Sequence, residues 1–196
     1  MDNGRLHKQI KFITEIDKLK KILRQNVVIG TQRQENDAEH SWHLAMMAIF
    51  LEEYAAEKVD ISRVVKMVLI HDLVEIDAGD TFCYDEKAHI DKCEREEKAA
   101  DRIFNILPKD QAQEIMGLWR EFEEMKTSEA RFAACLDRMQ PIILNYHTHG
   151  HTWQKPGVTY EKVLKRIAVL EENAPALWQF AQEIIEDSVK KGYLQR

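Results

Sequence analysis

Glycine and proline are scarce in this sequence. Seven glycines and four prolines among 196 residues are too few for a chain of many short strands, and no low-complexity tract is present. Apolar residues instead recur at helical spacing along almost the whole chain. The sequence therefore predicts an all-α fold, a single helical bundle of about seven to nine helices over residues 1–196. Its motif-bearing core would cover about 20–155, and C-terminal helices at about 159–190 would pack on that core.

Cysteine and long apolar runs are also sparse. The three cysteines, Cys83, Cys93 and Cys135, form no CxxC pair, and an odd number of scattered thiols is typical of a reducing compartment. The longest apolar runs, AMMAIFL and MVLI, are too short to span a bilayer. These features predict a cytoplasmic protein that does not bind a membrane.

The sequence has fewer basic residues than acidic residues. The 28 lysines and arginines are outnumbered by 34 aspartates and glutamates, which gives a formal net charge of −6. A broad basic surface for a nucleic-acid polymer is therefore not expected. A small phosphorylated ligand is compatible with this charge, because a few local arginines are enough to bind one phosphate group.

Acidic residues concentrate in one short stretch, HDLVEIDAGD at 71–80, directly after the apolar run VVKMVLI. In a helix predicted at about 61–75, the apolar face continues into a histidine and two of these acids. The members of that face are Val64, Val68, His71, Asp72 and Glu75. A buried ionised carboxylate is costly unless something neutralises it. The stretch therefore predicts that a cation or a set of ion pairs lies against it.

Two other predicted helices also direct polar groups inward. His40 lies one turn before Leu44 on a helix at about 38–57, and Asp137 shares a stripe with small residues on a helix at about 128–146. A single inward histidine is more often a hydrogen-bonded core residue than a ligand, and Asp137 alone could pair with Arg131 or Arg138.

Four inward-facing polar residues on three apolar helix faces are more typical of a metal site than of unrelated core residues. They comprise two imidazoles and two carboxylates, His40, His71, Asp72 and Asp137. This mixed nitrogen and oxygen set suits one divalent ion of Mn, Fe, Co, Ni or Zn, and Mg less readily. It differs from a closed structural zinc site, which usually contains cysteine.

The order of His40, the adjacent His71 and Asp72, and then Asp137 resembles the pattern of the HD-domain metal-dependent phosphohydrolases. Three segments carry the resemblance over about residues 20–155: ENDAEHSWH, HDLVEIDAGD and TSEARFAACLDRMQPII. The second segment is similar to the HD-x-x-E-x-x-x-G-D pattern of the subgroup that includes the 5′-deoxynucleotidases. The resemblance implies a helical fold in which those four residues hold one metal ion. It also implies that Glu75 and Asp80 lie beside the metal as catalytic acids.

Two arginines are candidates for binding the substrate. In the deoxynucleotidases an Arg-Trp pair precedes the first histidine. The corresponding region here keeps Arg24 and Arg33 but has no tryptophan. We expect these planar guanidinium groups to bind phosphate oxygens.

The expected function is hydrolysis of the 5′-phosphate of a nucleoside or deoxynucleoside monophosphate by metal-activated water. Hydrolysis of another small phosphate ester or of a nucleoside polyphosphate remains an alternative, as does a non-catalytic metal- or nucleotide-binding regulator. We also expect a homodimer. Members of the family are often dimers, and the late helices carry more apolar residues than one small core needs: Leu164, Ile167, Leu170, Leu177, Phe180 and Ile184.

Overall fold

Helices account for most of the protein in the computed structural model, which describes residues 3–85 and 88–196. The helices are α1 (Asn3–Ile16), α2 (Asp37–Leu51), α3 (Ile61–Ile70), α4 (Glu75–Ala78), α5 (Lys92–Phe104), α6 (Lys109–Glu124), α7 (Ser128–His147), α8 (Tyr160–Ile167), α9 (Val169–Asn173) and α10 (Pro175–Lys190). Within the described residues, eight of these have eight residues or more, and α4 and α9 are single turns. The predicted all-α bundle is confirmed.

The segment between α1 and α2 differs from the prediction of a loop. After a 3₁₀ turn at Asp17–Lys21, it forms an antiparallel ribbon of β1 (Leu23–Val27) and β2 (Gln34–Asn36). β1 has five residues and β2 has three, and the burial of β1 increases along the strand instead of alternating. Such short strands give too little of the period-two pattern that marks a strand in sequence. The ribbon is important for the site because it carries Arg24 and Glu35 into the interior.

The single helix predicted at about 61–75 is interrupted in the structure. α3 ends at Ile70, His71–Val74 form a 3₁₀ turn, and Glu75 begins the one-turn α4. A 3₁₀ turn has about three residues per turn, so the spacing of the α-helical face does not continue through His71. The acids nevertheless remain inside, because the turn itself is buried against the neighbouring helices.

Side-chain caps and one glycine fix several helix ends. The Asp60 side chain accepts hydrogen bonds from the backbone N–H groups of Ser62 and Arg63, and Thr127 caps α7 in the same way through Ala130. Gly79 ends α4 at φ 76°, a conformation that favours glycine. These caps fix the ends of the elements that approach the site.

The core consists of two clusters of buried apolar residues. The larger one joins α2, α3, α7 and the C-terminal helices, and the smaller one lies between α1, α5 and α6. Most of the late apolar residues that suggested a dimer surface are used here. Ile167, Leu170, Leu177 and Ile184 are buried in the larger cluster, and Phe180 is half exposed.

In the described parts of the chain, every helix falls short of the length and apolar character needed to span a membrane.

Candidate metal centre and active site

Three elements bring the predicted metal ligands together. His40 belongs to the second turn of α2, whose start is fixed by a capping box between Asn36 and Glu39. His71 and Asp72 come from the 3₁₀ turn after α3, and Asp137 comes from the middle of α7. α2, α3 and α7 pack against one another, so the three segments meet at one point of the core.

The ligand atoms of these four residues lie close to one another. His40 Nε2 is 3.1 Å from Asp137 Oδ1, and His71 Nε2 is 3.1 Å from Asp72 Oδ1. Two further separations are longer: 3.8 Å from His71 Nε2 to Asp137 Oδ1, and 3.9 Å from His40 Nε2 to Asp72 Oδ2. One ligand atom each from His40, His71 and Asp72 can be chosen so that all lie within 4.8 Å of one another. This is the spacing at which one ion can bridge several ligands.

The hydrogen bonding of His71 suits a metal ligand. Its Nδ1 is 3.0 Å from the carbonyl oxygen of Val68, which can only accept, so Nδ1 carries the hydrogen. The Nε2 atom is buried and has no hydrogen-bond partner among the described residues. A bond from Nδ1–H to a backbone carbonyl is the usual way in which a protein orients a histidine that binds metal through Nε2.

The two histidines differ in ionisation. Burial, and then the charge of Arg24, lower the pKa of His40 to about 4, so its imidazole is neutral. Burial also lowers the pKa of His71, but Asp72 and Asp137 outweigh it and raise the pKa to about 9. In the metal-free protein, a proton on His71 therefore supplies part of the positive charge that a metal ion would bring. A cation fits the residues present.

Behind His40 lies a buried polar chain. Gln140 donates a hydrogen bond of 2.6 Å to Glu35 Oε1, and Glu35 Oε2 is 3.8 Å from His40 Nδ1. His43 Nδ1 lies 3.3 Å from Gln140 Nε2. Burial raises the pKa of Glu35 to about 7. Glu35 is the member of this chain that comes nearest the His40 ring, although at 3.8 Å it forms no hydrogen bond to Nδ1.

A second group of acids adjoins the four predicted ligands. Carboxylate oxygens of Asp37, Asp72 and Glu75 can be chosen within 4.8 Å of one another. Burial, and then the neighbouring charges of Asp72 and Asp37, raise the pKa of Glu75 well above its usual range. Burial and Asp72 raise that of Asp37 to about 7. Sequence reasoning missed Asp37, which adjoins the predicted start of α2 and was assigned to the preceding polar loop.

Arg24 occupies the middle of these acids. Its Nη1 is 2.9 Å from Asp72 Oδ2 and 3.2 Å from Asp37 Oδ1. Asp80 Oδ1 lies 3.9 Å from Nη1, and Glu35 Oε2 lies 3.8 Å from Nε. Burial lowers the pKa of Arg24, but the surrounding carboxylates outweigh it and raise the pKa well above the usual range. The charge of Arg24 is thus already compensated by four acids.

Arg33 does not reach this region, in contrast to the sequence-based expectation. Its guanidinium forms a two-pronged ion pair with Glu39, at 2.8 and 2.9 Å, and its side chain is 55% exposed. It is absent from the residues that line the central cavity. The β-ribbon is the reason, because the turn between the strands places Arg33 on the outer surface while Arg24 points inward.

The cavity beside the predicted ligands has a volume of ≈ 170 Å³. Glu75 and Asp80 line it, as the sequence led us to expect. Asp77 from the same stretch instead pairs with Arg102 outside it, with Asp77 Oδ1 at 2.8 Å from Arg102 Nη2. Trp153 borders the cavity but is buried in the core.

Three cationic residues of the cavity wall were not predicted as site residues. Lys92 comes from α5, Arg138 follows Asp137 on α7, and Arg166 comes from α8. The adjacency of Arg138 to Asp137 was a signal that sequence reasoning took only for an ion pair. A single arginine on α8 has no local signal, since only the packing of α8 on α7 brings it to the site.

Comparison with known proteins identifies the family. A family model for the HD domain matches residues 16–178. The chain belongs to the HD domain family. The resemblance noted in the sequence is thereby confirmed, and the matched residues include all of the predicted metal ligands.

Individual HD domain proteins show the same relationship. The chain is 30% identical to the 5′-deoxynucleotidase HDDC2 of Homo sapiens over 149 residues, which cover 76% of this chain and 71% of that protein. The crystal structure of a predicted metal-dependent phosphohydrolase from Magnetospirillum magnetotacticum superposes with a TM-score of 0.94 at 52% identity, covering 98% of this chain and 96% of that one. An HD phosphohydrolase of cyanophage S-2L, bound to dA and one catalytic Zn²⁺ ion, shares the fold with a TM-score of 0.54 at 17% identity over 91% and 96% of the two chains.

Proposed function

We propose that this protein is a metal-dependent phosphohydrolase that removes the 5′-phosphate from a deoxynucleoside monophosphate. The observation that carries the proposal is the convergence of two imidazoles and two carboxylates beside a cavity. The substrate class is taken from relatives named 5′-deoxynucleotidase, one of which is 30% identical to this chain.

The metal site in this proposal consists of His40, His71, Asp72 and Asp137 and holds one divalent ion. Two imidazole ligands favour Mn, Fe, Co, Ni or Zn over Mg. When bound, such an ion supplies a Lewis acid for a phosphoryl oxygen and lowers the pKa of a water molecule. Burial, and then repulsion among the neighbouring carboxylates, raise the pKa values of Glu75 and Asp37, and a cation bound beside them would offset that repulsion.

Glu75 and Asp80 are the proposed catalytic acids. Both line the cavity, and burial raises the pKa of each carboxyl group. A carboxyl group with a raised pKa can exchange a proton closer to neutral pH, as a group that orients or deprotonates water or protonates the leaving alkoxide must do. A protein that only bound metal would have no need for these two buried acids, which argues against a non-catalytic regulator.

Phosphate release tests the function directly. The protein is stripped of metal, reloaded with Mn, Co, Zn or Mg, and incubated with 5′-deoxynucleotides, 5′-ribonucleotides, 3′-monophosphates and nucleoside triphosphates. We expect release of inorganic phosphate from 5′-deoxynucleoside monophosphates with the transition metals and the least with Mg. Preference for a polyphosphate would favour that alternative substrate, and no release from any compound would favour a binding protein.

A homodimer is part of the proposal. Its support is an exposed apolar face of α2, where Trp42, Ile49 and Phe50 are 62%, 53% and 69% exposed. Met46 continues this face at helical spacing. Contiguous exposed apolar surface of this kind often marks an interface, and a second copy of the chain is the partner we propose. Sedimentation at micromolar concentration should show a dimer that Phe50→Glu dissociates, and a monomeric wild type would contradict it.

The proposed setting is the cytoplasm, with a nucleotide and no nucleic-acid polymer as ligand. Cys83, Cys93 and Cys135 are all free thiols in the structure, as a reducing compartment favours. The net charge of −6 is unfavourable for binding a polyanion. Filter binding with single- and double-stranded DNA should therefore show no retention at physiological salt.

A further inference from the structure

The cationic side chains that line the cavity differ in how far their charge is compensated. They are Arg24, Lys92, Arg138 and Arg166. Arg24 lies among four acids, and Lys92 Nζ is 3.2 Å from Glu96 Oε1. The other two, Arg138 and Arg166, have no hydrogen bond to a carboxylate among the described residues.

Arg138 is the deeper of these two arginines. Within the part of the chain that the structure describes, no carboxylate oxygen lies within 4.0 Å of its guanidinium. Its Nε is buried without a partner, and its Nη2 donates only to the sulfur of Met125, at 3.4 Å. A thioether is a weak acceptor, and an uncompensated buried charge is costly.

Arg166 lies nearer the mouth, where its side chain is 39% exposed. Its Nη2 is 3.6 Å from Asp137 Oδ2, and none of its N–H groups has a hydrogen-bond acceptor among the described residues. Arg166 thus places its spare donors directly beside the proposed metal centre. The guanidinium groups of Arg138 and Arg166 also repel each other, a cost that an anion bound between them would remove.

We propose that Arg138 and Arg166 bind the phosphate group of the substrate on the Asp137 side of the cavity. This assignment rests on the phosphohydrolase function proposed above and replaces Arg24 and Arg33 as the phosphate-binding residues. A guanidinium group matches the geometry of phosphate and can donate two parallel hydrogen bonds to it. Arg24 acts differently. It is a positioning residue that holds the acids Asp37, Asp72 and Asp80 in place.

Phosphate affinity tests the subsite in the metal-loaded protein. Arg166→Gln is compared with wild type, with Arg138→Gln and with Arg120→Gln, a control that removes the same charge from an exposed arginine outside the cavity. Inorganic phosphate is titrated by calorimetry, and KM and kcat are measured for a deoxynucleoside monophosphate. Inhibition by the phosphate-free deoxynucleoside and the metal content are measured in parallel.

Loss of charge-assisted hydrogen bonds should weaken phosphate binding about 10- to 100-fold in both cavity variants and raise KM similarly. Inhibition by the deoxynucleoside and the metal content should stay at wild-type values in both cavity variants. The control Arg120→Gln should match wild type in every measurement. Arg138→Lys should recover part of the affinity, which a variant that merely misfolds would not do. Unchanged phosphate affinity in both cavity variants would overturn the assignment even if the enzyme is active. If the wild type releases no phosphate, the proposed function fails, and the calorimetry still decides whether these arginines bind phosphate.

Discussion

The two walls of the cavity have opposite charge balance. On one wall, a single arginine, Arg24, faces Glu35, Asp37, Asp72 and Asp80. On the other, Arg166 Nη2 lies 3.6 Å from Asp137 Oδ2, and Arg138 has no ion pair with a carboxylate among the described residues. An acid-rich wall needs a further cation, and an arginine-rich wall needs a further anion. The comparison shows that a charge without a compensating neighbour indicates whether a cation or an anion binds beside it. The residue type alone does not indicate this.

The largest effect is expected from removing an acid that holds the metal. Asp72→Ala deletes one of four proposed ligands, so bound metal, turnover and thermal stability should fall together. A ligand present at about 100 times its Kd stabilises the folded state by about 2.7 kcal/mol, and this contribution should disappear. Elemental analysis, phosphate release and thermal unfolding with and without metal measure the three effects. A variant that binds metal as wild type does would remove Asp72 from the ligand set.

A smaller loss of activity is expected when the proposed catalytic acid Glu75 is replaced, and this variant distinguishes the acid from the metal ligands. Glu75→Gln should keep the fold and the metal but lower kcat by about 10²–10⁴-fold, as expected when a general acid or base is removed. Asp77→Asn is the matched control, because Asp77 belongs to the same stretch but pairs with Arg102 outside the cavity. Metal content and turnover are measured on both variants. Metal loss in Glu75→Gln comparable to that in Asp72→Ala would make Glu75 a ligand.

Arg24 provides a stability effect that depends on the metal. Arg24→Met leaves buried carboxylates without their cation, and removal of one partner from a buried ion pair costs about 3–5 kcal/mol. Because a bound metal ion also compensates those acids, the loss should be larger in the metal-free protein than in the loaded one. Denaturant unfolding in both forms measures the difference. Equal destabilisation with and without metal would argue that Arg24 and the metal act on separate groups.

The smallest effect on activity and stability is expected from replacing Arg33 on the outer surface. Arg33→Gln removes an exposed ion pair with Glu39, and such pairs are screened by solvent. Turnover, KM and thermal stability should all match wild type within error. A rise in KM comparable to that expected for Arg166→Gln would return Arg33 to the substrate-binding residues.

The elements that sequence reasoning predicted have strong local signals. α7, predicted at about 128–146, is one of them, because its apolar stripe depends on residues about one turn apart. The β-ribbon was missed because strands of five and three residues are too short to show a period-two pattern in the sequence. The 3₁₀ turn at His71–Val74 was missed because four residues are too few to distinguish a period of three from one of 3.6.

The site residues also divide into those with a local signal in the sequence and those without one. The inward positions of His40 and Asp137 follow from the apolar stripes that contain them, whereas His71 lies inside because its 3₁₀ turn is buried. The environment of Arg24 and the position of Arg166 depend on contacts between residues far apart in sequence, such as the 48 residues that separate Arg24 from Asp72. Local periodicity has no information about such contacts, so the charge balance of the two walls became visible only in the folded chain.

Anomalous diffraction from crystals of the manganese-loaded protein tests the central claim most directly. Among the residues that the structure describes, two candidate groups of ligand atoms are present, His40 with His71 and Asp72, and Asp37 with Asp72 and Glu75. The account predicts one anomalous peak at about 2.0–2.3 Å from His40 Nε2, His71 Nε2 and carboxylate oxygens of Asp72 and Asp137. A peak bound by Asp37, Asp72 and Glu75, with the two imidazoles outside the coordination sphere, would contradict it.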